Sequence, residues 1–144
     1  MNREIKFRIW DKNKKIFLPL EYKYSSDYST PPAAPLIDIS GRLWNWSSQH
    51  WGMDNELAKN PEDYIIQQYT GLKDKNEKEI YEGDLVNVNF RRCGKFNCKI
   101  VYEGPSFEFY VIPEEELSFP MSIRDIPIEI EIIGNIFENP ELLK

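Results

Sequence analysis

Histidine is nearly absent from this 144-residue chain, so any Ser-His or Cys-His mechanism must run through the single imidazole of His50. Its neighbours Gln49 and Trp51 bring no orienting carboxylate, and His50 reads as a loop or surface residue. Cysteine is scarce too, with two residues. Cys93 and Cys98 form no C-x-x-C and have no second pair to complete a tetrahedral zinc site. Both are expected as thiols in a reducing compartment, since a bridge needs Cα atoms within reach and an oxidising setting. No run of about 18 apolar residues occurs, and no charged segment followed by an apolar core follows Met1. Neither export nor membrane insertion is supported, and a cytoplasmic location in a bacterial host cell is expected. Asn45-Trp46-Ser47 fits a glycosylation acceptor, a pattern with meaning only in secreted chains.

Phosphate-cradling, zincin and nucleophile-elbow motifs are all missing in their usual forms. Asp74-Lys75-Asn76-Glu77-Lys78-Glu79 starts like a calcium loop, but Glu79 stands where that loop needs glycine and Leu85 where it needs a bidentate acid. A solvated turn is the better reading. Glu114, Glu115 and Glu116, and the pair Glu129 and Glu131, supply carboxylates without any sign of a raised pKa environment. The reading leans against an enzyme, and no cofactor, metal or catalytic residue is assigned. Acids outnumber bases 24 to 18, a formal charge of -6, which opposes nonspecific binding to phosphate backbones.

What the chain has is period-two alternation. In residues 4–10, Ile5, Phe7 and Ile9 alternate with Lys6, Arg8 and Trp10, and residues 15–18 follow a polar turn, predicting an N-terminal hairpin over 4–18. Residues 19–35 turn to Ser, Tyr, Thr and Pro and read as a long irregular loop. Residues 36–39 and 43–46 flank Ser40-Gly41-Arg42 as a second hairpin, with Trp44 and Trp46 on one face. Asp54 or Asn55 then offers a helix cap before Glu56, and Pro61 limits the stretch to one or two helical turns.

The most informative stretch, residues 68–89, carries a charged turn that ends in Glu82-Gly83-Asp84 and opens onto an alternating run. There Val86, Val88 and Phe90 take the buried face opposite Leu85, Asn87 and Asn89. Strands are also predicted at 64–70, 85–90, 96–102, 106–112 and 128–132, the last with Glu129 and Glu131 facing water. Gly134-Asn135 ends or bends that strand, and Asn139-Pro140 predicts a terminal helical turn. Short strands punctuated by Gly, Pro and Asn indicate a mainly β fold in one compact domain of residues 1–144. The predicted architecture is an antiparallel β-barrel or barrel-like sandwich with its core over about 64–137. An α+β fold with a packed helix between Ser47 and Pro61 is the weaker alternative.

Three blocks carry a family resemblance: Arg3-Glu-Ile-Lys-Phe-Arg-Ile-Trp-Asp11, then Gln68-Tyr-Thr-Gly-Leu-Lys-Asp-Lys-Asn76 with Glu79-Ile-Tyr-Glu-Gly-Asp84, and Ile133-Gly-Asn-Ile-Phe-Glu-Asn-Pro-Glu-Leu142. They resemble the YopX family of phage and prophage proteins. That resemblance implies a compact, mostly β protein of bacteriophage origin, and brings no established activity and no functional residues.

Two surfaces are candidates for recognition. Trp44, Trp46 and Trp51, with Tyr22, Tyr24 and Tyr28, suit a protein partner or self-association, because large aromatics anchor interfaces. Arg91, Arg92, Lys95 and Lys99, near Phe90 and Phe96, concentrate positive charge as a single-strand groove does. The expected role is a non-catalytic binding module, with a nucleic-acid-associated accessory protein as the alternative.

Overall fold

The structure, a computed structural model, describes residues 4–18, 36–37, 43–47, 52–54, 60–91, 94–103, 106–112, 121–122 and 127–144, with the backbone alone at 36–37, 43–47, 52–54, 121–122 and 128. It is mainly β with antiparallel pairing, as the alternation predicts, and the described residues contain no α-helix. By internal contact the chain divides into two compact units, Arg8–Ile66, and Met1–Phe7 with Gln67–Lys144.

In the Arg8–Ile66 unit, β1 (Phe7–Asp11) runs in from the other unit and turns back into β2 (Ile16–Phe17), with Trp10 opposite Phe17 and Asp11 opposite Ile16. Asp11 builds the turn. Its Oδ1 accepts the N–H groups of Asn13 and Lys14 at 3.0 and 2.9 Å, and its carbonyl accepts Lys15 N–H at 2.8 Å. The rings of Trp10 and Phe17 meet edge to face at 5.0 Å, and the Arg8 guanidinium lies 4.4 Å from the Phe17 ring centre. The second hairpin also forms: β3 (Leu36–Ile37) pairs with β4 (Leu43–Ser47), placing Leu36 opposite Trp44.

Met53 and Asp54 belong to β5 (Gly52–Asp54), opposite Trp46 and Asn45 of β4. An N-cap residue is itself extended, so Asp54 at the end of this strand is compatible with the expected cap. The helical residues expected after it, 55–59, lie outside the described residues, and Pro61–Asp63 forms a 3-10 turn.

The other unit holds the main sheet. β8 (Asp84–Phe90), β9 (Gly94–Glu103), β10 (Ser106–Val111) and β11 (Met121–Ser122) form a meander, and β12 (Pro127–Asn135) returns to pair with β8, giving the order β11-β10-β9-β8-β12 in a half-barrel. Its interior collects Ile80, Val86, Val88, Phe90, Cys98, Ile100, Phe107, Phe109, Val111 and Ile130, all buried. Alternation explains the set: Val86, Val88 and Phe90 point inward on β8 while Asn87 and Asn89 are half-exposed. Phe107, Phe109 and Val111 do the same on β10. Beside this sheet β6 (Tyr64–Lys73) pairs with β7 (Glu79–Tyr81), matching Tyr69 to Tyr81 and Lys73 to Glu79 across a register shift at which Gly71 takes φ +87°. On β12 the register shifts between Ile132 and Gly134, so the expected bend is a bulge inside a strand that ends at Asn135.

Candidate functional site

Three strands contribute one polar side chain each to a knot inside the Gln67–Lys144 part of the chain. Gln67 comes from β6, Asp84 opens β8 and Asn135 closes β12; they are 2, 1 and 2% exposed. The Asn135 amide donates to Asp84 Oδ1 at 3.2 Å and to Gln67 Oε1 at 3.4 Å. Asp84 Oδ2 accepts Tyr81 N–H at 2.8 Å, and Asn135 Oδ1 accepts Phe137 N–H at 3.0 Å. The Asn135 N–H itself donates to Asn139 Oδ1 at 3.2 Å. A buried polar group left without partners costs about 1–3 kcal/mol, so these atoms hold one another in place.

Glycines make room for the knot. Gly83 has φ +77°, and a Cβ there would stand 2.0 Å from Gln67 Nε2. Its N–H reaches Ile100 O at 2.9 Å and its carbonyl accepts Ile136 N–H at 3.0 Å, binding β9 to the segment after β12. At Gly134 an added Cβ would meet Asn139 Oδ1 at 2.6 Å. Asn139 therefore serves Asn135, and the 3-10 turn Pro140–Leu143 that follows has no side-chain cap. Beside the knot, burial pushes the half-buried Glu82 carboxyl above its ordinary 4.5, opposed by the Gln68 main chain.

A second cluster lies on β7 and the segment before β1. Lys6 bonds Glu79 and also Glu4, at 3.0 Å from the latter, and Tyr81 donates to Glu79 Oε2 at 2.8 Å. The Lys6 and Tyr81 bonds hold Glu79 below its usual range, and Glu79 in turn raises Lys6. The rings of Tyr69 and Tyr81 lie 5.5 Å apart beneath it. With its proton lost and both oxygens engaged, Glu79 is a poor acid and a weak base.

The charged turn of residues 74–78 is less solvated than its sequence suggests, because Asp74 is only 5% exposed. Its Oδ1 accepts Asn76 N–H at 2.8 Å and Lys78 N–H at 3.0 Å, and its Oδ2 accepts Ile132 N–H of β12 at 3.3 Å. Burial works to raise this carboxyl, yet the main-chain donors outweigh it and leave Asp74 below 3.8. Among the described residues no three His, Cys, Asp or Glu side chains gather as a metal set.

The sequence-predicted surfaces divide. Trp44 and Trp46 occupy alternate positions of β4 and so share one side of it; Trp51, His50 and Tyr22, Tyr24 and Tyr28 lie outside the described residues. Arg91 and Lys95 are exposed, and Lys99 is half-buried with its Nζ 5.8 Å from the Tyr110 ring centre; Arg92 and Cys93 lie outside the described residues. Phe90 is not a surface aromatic for a base to stack on, and Phe96 is half-buried. Phe90 is 4% exposed and packs edge to face on Phe109 at 5.6 Å, while Phe96 is packed against the same core. Register places Lys95 opposite Asn89 and Asn89 opposite Glu129, so the cations share their sheet face with amides and acids. Cys98 is buried, its Sγ 4.0 Å from Phe96 O. The knot itself escaped sequence reasoning. Its signal was polar residues set at strand ends, Asp84 and Asn135, each next to a glycine.

Comparison with protein families finds a match to the family described as YopX protein over residues 6–144. Comparison with curated proteins finds no match. Among solved structures, the crystal structure of protein EF1440 from Enterococcus faecalis is similar with a TM-score of 0.58 and 29% identity, covering 99% of this chain and 100% of that one. The crystal structure of protein yopX from Bacillus subtilis is similar in fold with a TM-score of 0.51 and 17% identity, covering 96% of this chain and 97% of that one.

Proposed function

The chain belongs to the YopX family, and on that premise we propose that it is a non-catalytic accessory protein of phage or prophage origin that works as an interaction module in the host cytoplasm. One observation carries this reading. The polar residues of the family-like blocks are spent on holding strands together: Asp84 takes a main-chain N–H and the Asn135 amide, and Gly83 yields its side-chain space to Gln67. A scaffold built this way supports a display surface, and the tryptophans of β4 are the anchors it has to offer a protein partner or a second copy. Recovery of the tagged protein from induced host cells tests it, run beside Trp44→Ala and Trp46→Ala. A partner or stable oligomer that is retained by the native chain and lost by the folded variants is expected; equal recovery by both overturns the tryptophan surface.

Exposed Arg91 and Lys95 favour a second reading, a nucleic-acid-associated accessory role. It requires binding that falls steeply as salt rises, and a gel shift with no retained band at low salt removes it.

A further inference from the structure

Among the described residues β12 is an edge strand of the five-stranded sheet, with β8 on one side only. An open edge presents main-chain donors and acceptors to any strand that approaches, and folded proteins cover or charge such edges. Here the cover comes from within. Lys75 N–H donates to Ile130 O at 2.9 Å and Ile132 N–H donates to Asp74 Oδ2 at 3.3 Å, so the turn of residues 74–78 fills two outward main-chain positions of β12. Lys75 also brings its ammonium to the outer face of the strand, 2.6 Å from Glu131 and 3.9 Å from Glu129. One lysine thus makes the contacts of a docked strand, a main-chain bond in the sheet plane and a charge pair above it.

Asp74 is the one buried residue of the turn: Lys75, Asn76, Glu77 and Lys78 are already exposed, and Glu77 sits at φ +63°, a strained value for a residue with a side chain. Between its two register shifts the strand beneath keeps an unbroken register with β8 from Glu129 to Ile132. Ile130 is buried in the core and Glu129 and Glu131 alternate outward. A second copy of β12 laid antiparallel on this edge sets glutamate against glutamate, which disfavours self-pairing.

We propose that the 74–78 turn is an in-chain plug on a strand-accepting edge, and that an extended basic segment of a partner protein displaces it, copying Lys75 with its own main chain and cations. The proposal rests on the interaction-module reading and assigns the contact to β12 in place of the tryptophans of β4. The test uses the full chain and a dye-labelled peptide of alternating lysine and valine, followed by fluorescence anisotropy. An edge held shut weakens apparent affinity by the fraction open, so Asp74→Ala is expected to bind this peptide about tenfold tighter than the native chain. Glu129→Gln with Glu131→Gln in the same background is expected to remove that gain, and a glutamate-valine peptide to bind neither protein. Amide exchange in the native chain supplies an arm that needs no variant to fold: saturating lysine-valine peptide should speed exchange at Lys75 while Ile132 stays protected. Equal binding of both peptides, or unchanged exchange at Lys75 under saturating peptide, overturns the proposal. Failure here with tryptophan-dependent capture intact leaves the interaction module standing and removes only this edge.

Discussion

At the scale of single residues, two glycines with the same backbone sign separate strain from crowding. At Gly71, φ +87°, an added Cβ would have nothing within 4 Å, whereas at Gly83, φ +77°, it would fall 2.0 Å from Gln67 Nε2. Gly71→Ala is expected to cost about 1 kcal/mol from the left-handed backbone alone. Gly83→Ala should cost at least about 2 kcal/mol more, read from urea midpoints, because the displaced Gln67 also gives up its bond to Asn135. Glu82 makes a prediction of opposite sign. Its folded pKa lies above 4.5, so its contribution to stability is complete below the unfolded value and is lost as pH rises through the folded one. Glu82→Gln should therefore be more stable than the native chain at pH 7, with the gap closing below about pH 4.5 in thermal melts across pH.

Elements were legible where one face is dry and the other wet. Val86, Val88 and Phe90 on β8, and Ile130 between Glu129 and Glu131 on β12, alternate in sequence and are buried as that alternation demands. A substitution on that dry face belongs to the same logic: Phe109→Ala empties a fully buried site and is expected to cost about 3–5 kcal/mol. Ile16→Ala, on a residue 46% exposed, should stay within about 0.5 kcal/mol by the same denaturation assay. One turn was misread for a physical reason. Asp74 looked solvated because its turn is charged, while the N–H that draws it inward belongs to Ile132, far along the chain.

For the whole molecule, what sequence reading lacked was closure between distant segments. Nothing local in Gln67 or Asp84 announces Asn135, which bonds them across separations of 68 and 51 residues. Asn139→Ala tests how far that closure depends on the last contributor. It strips the acceptor from Asn135 N–H and should cost about 1–3 kcal/mol, seen as faster amide exchange at Asn135 and a lower melting temperature. The same contact sets an order of events during synthesis. The Asn135 side chain can reach Asp84 as soon as β12 is laid down, but its main-chain N–H gains an acceptor only when Asn139 has followed it, so the knot closes around Asp84 before its outer end is secured.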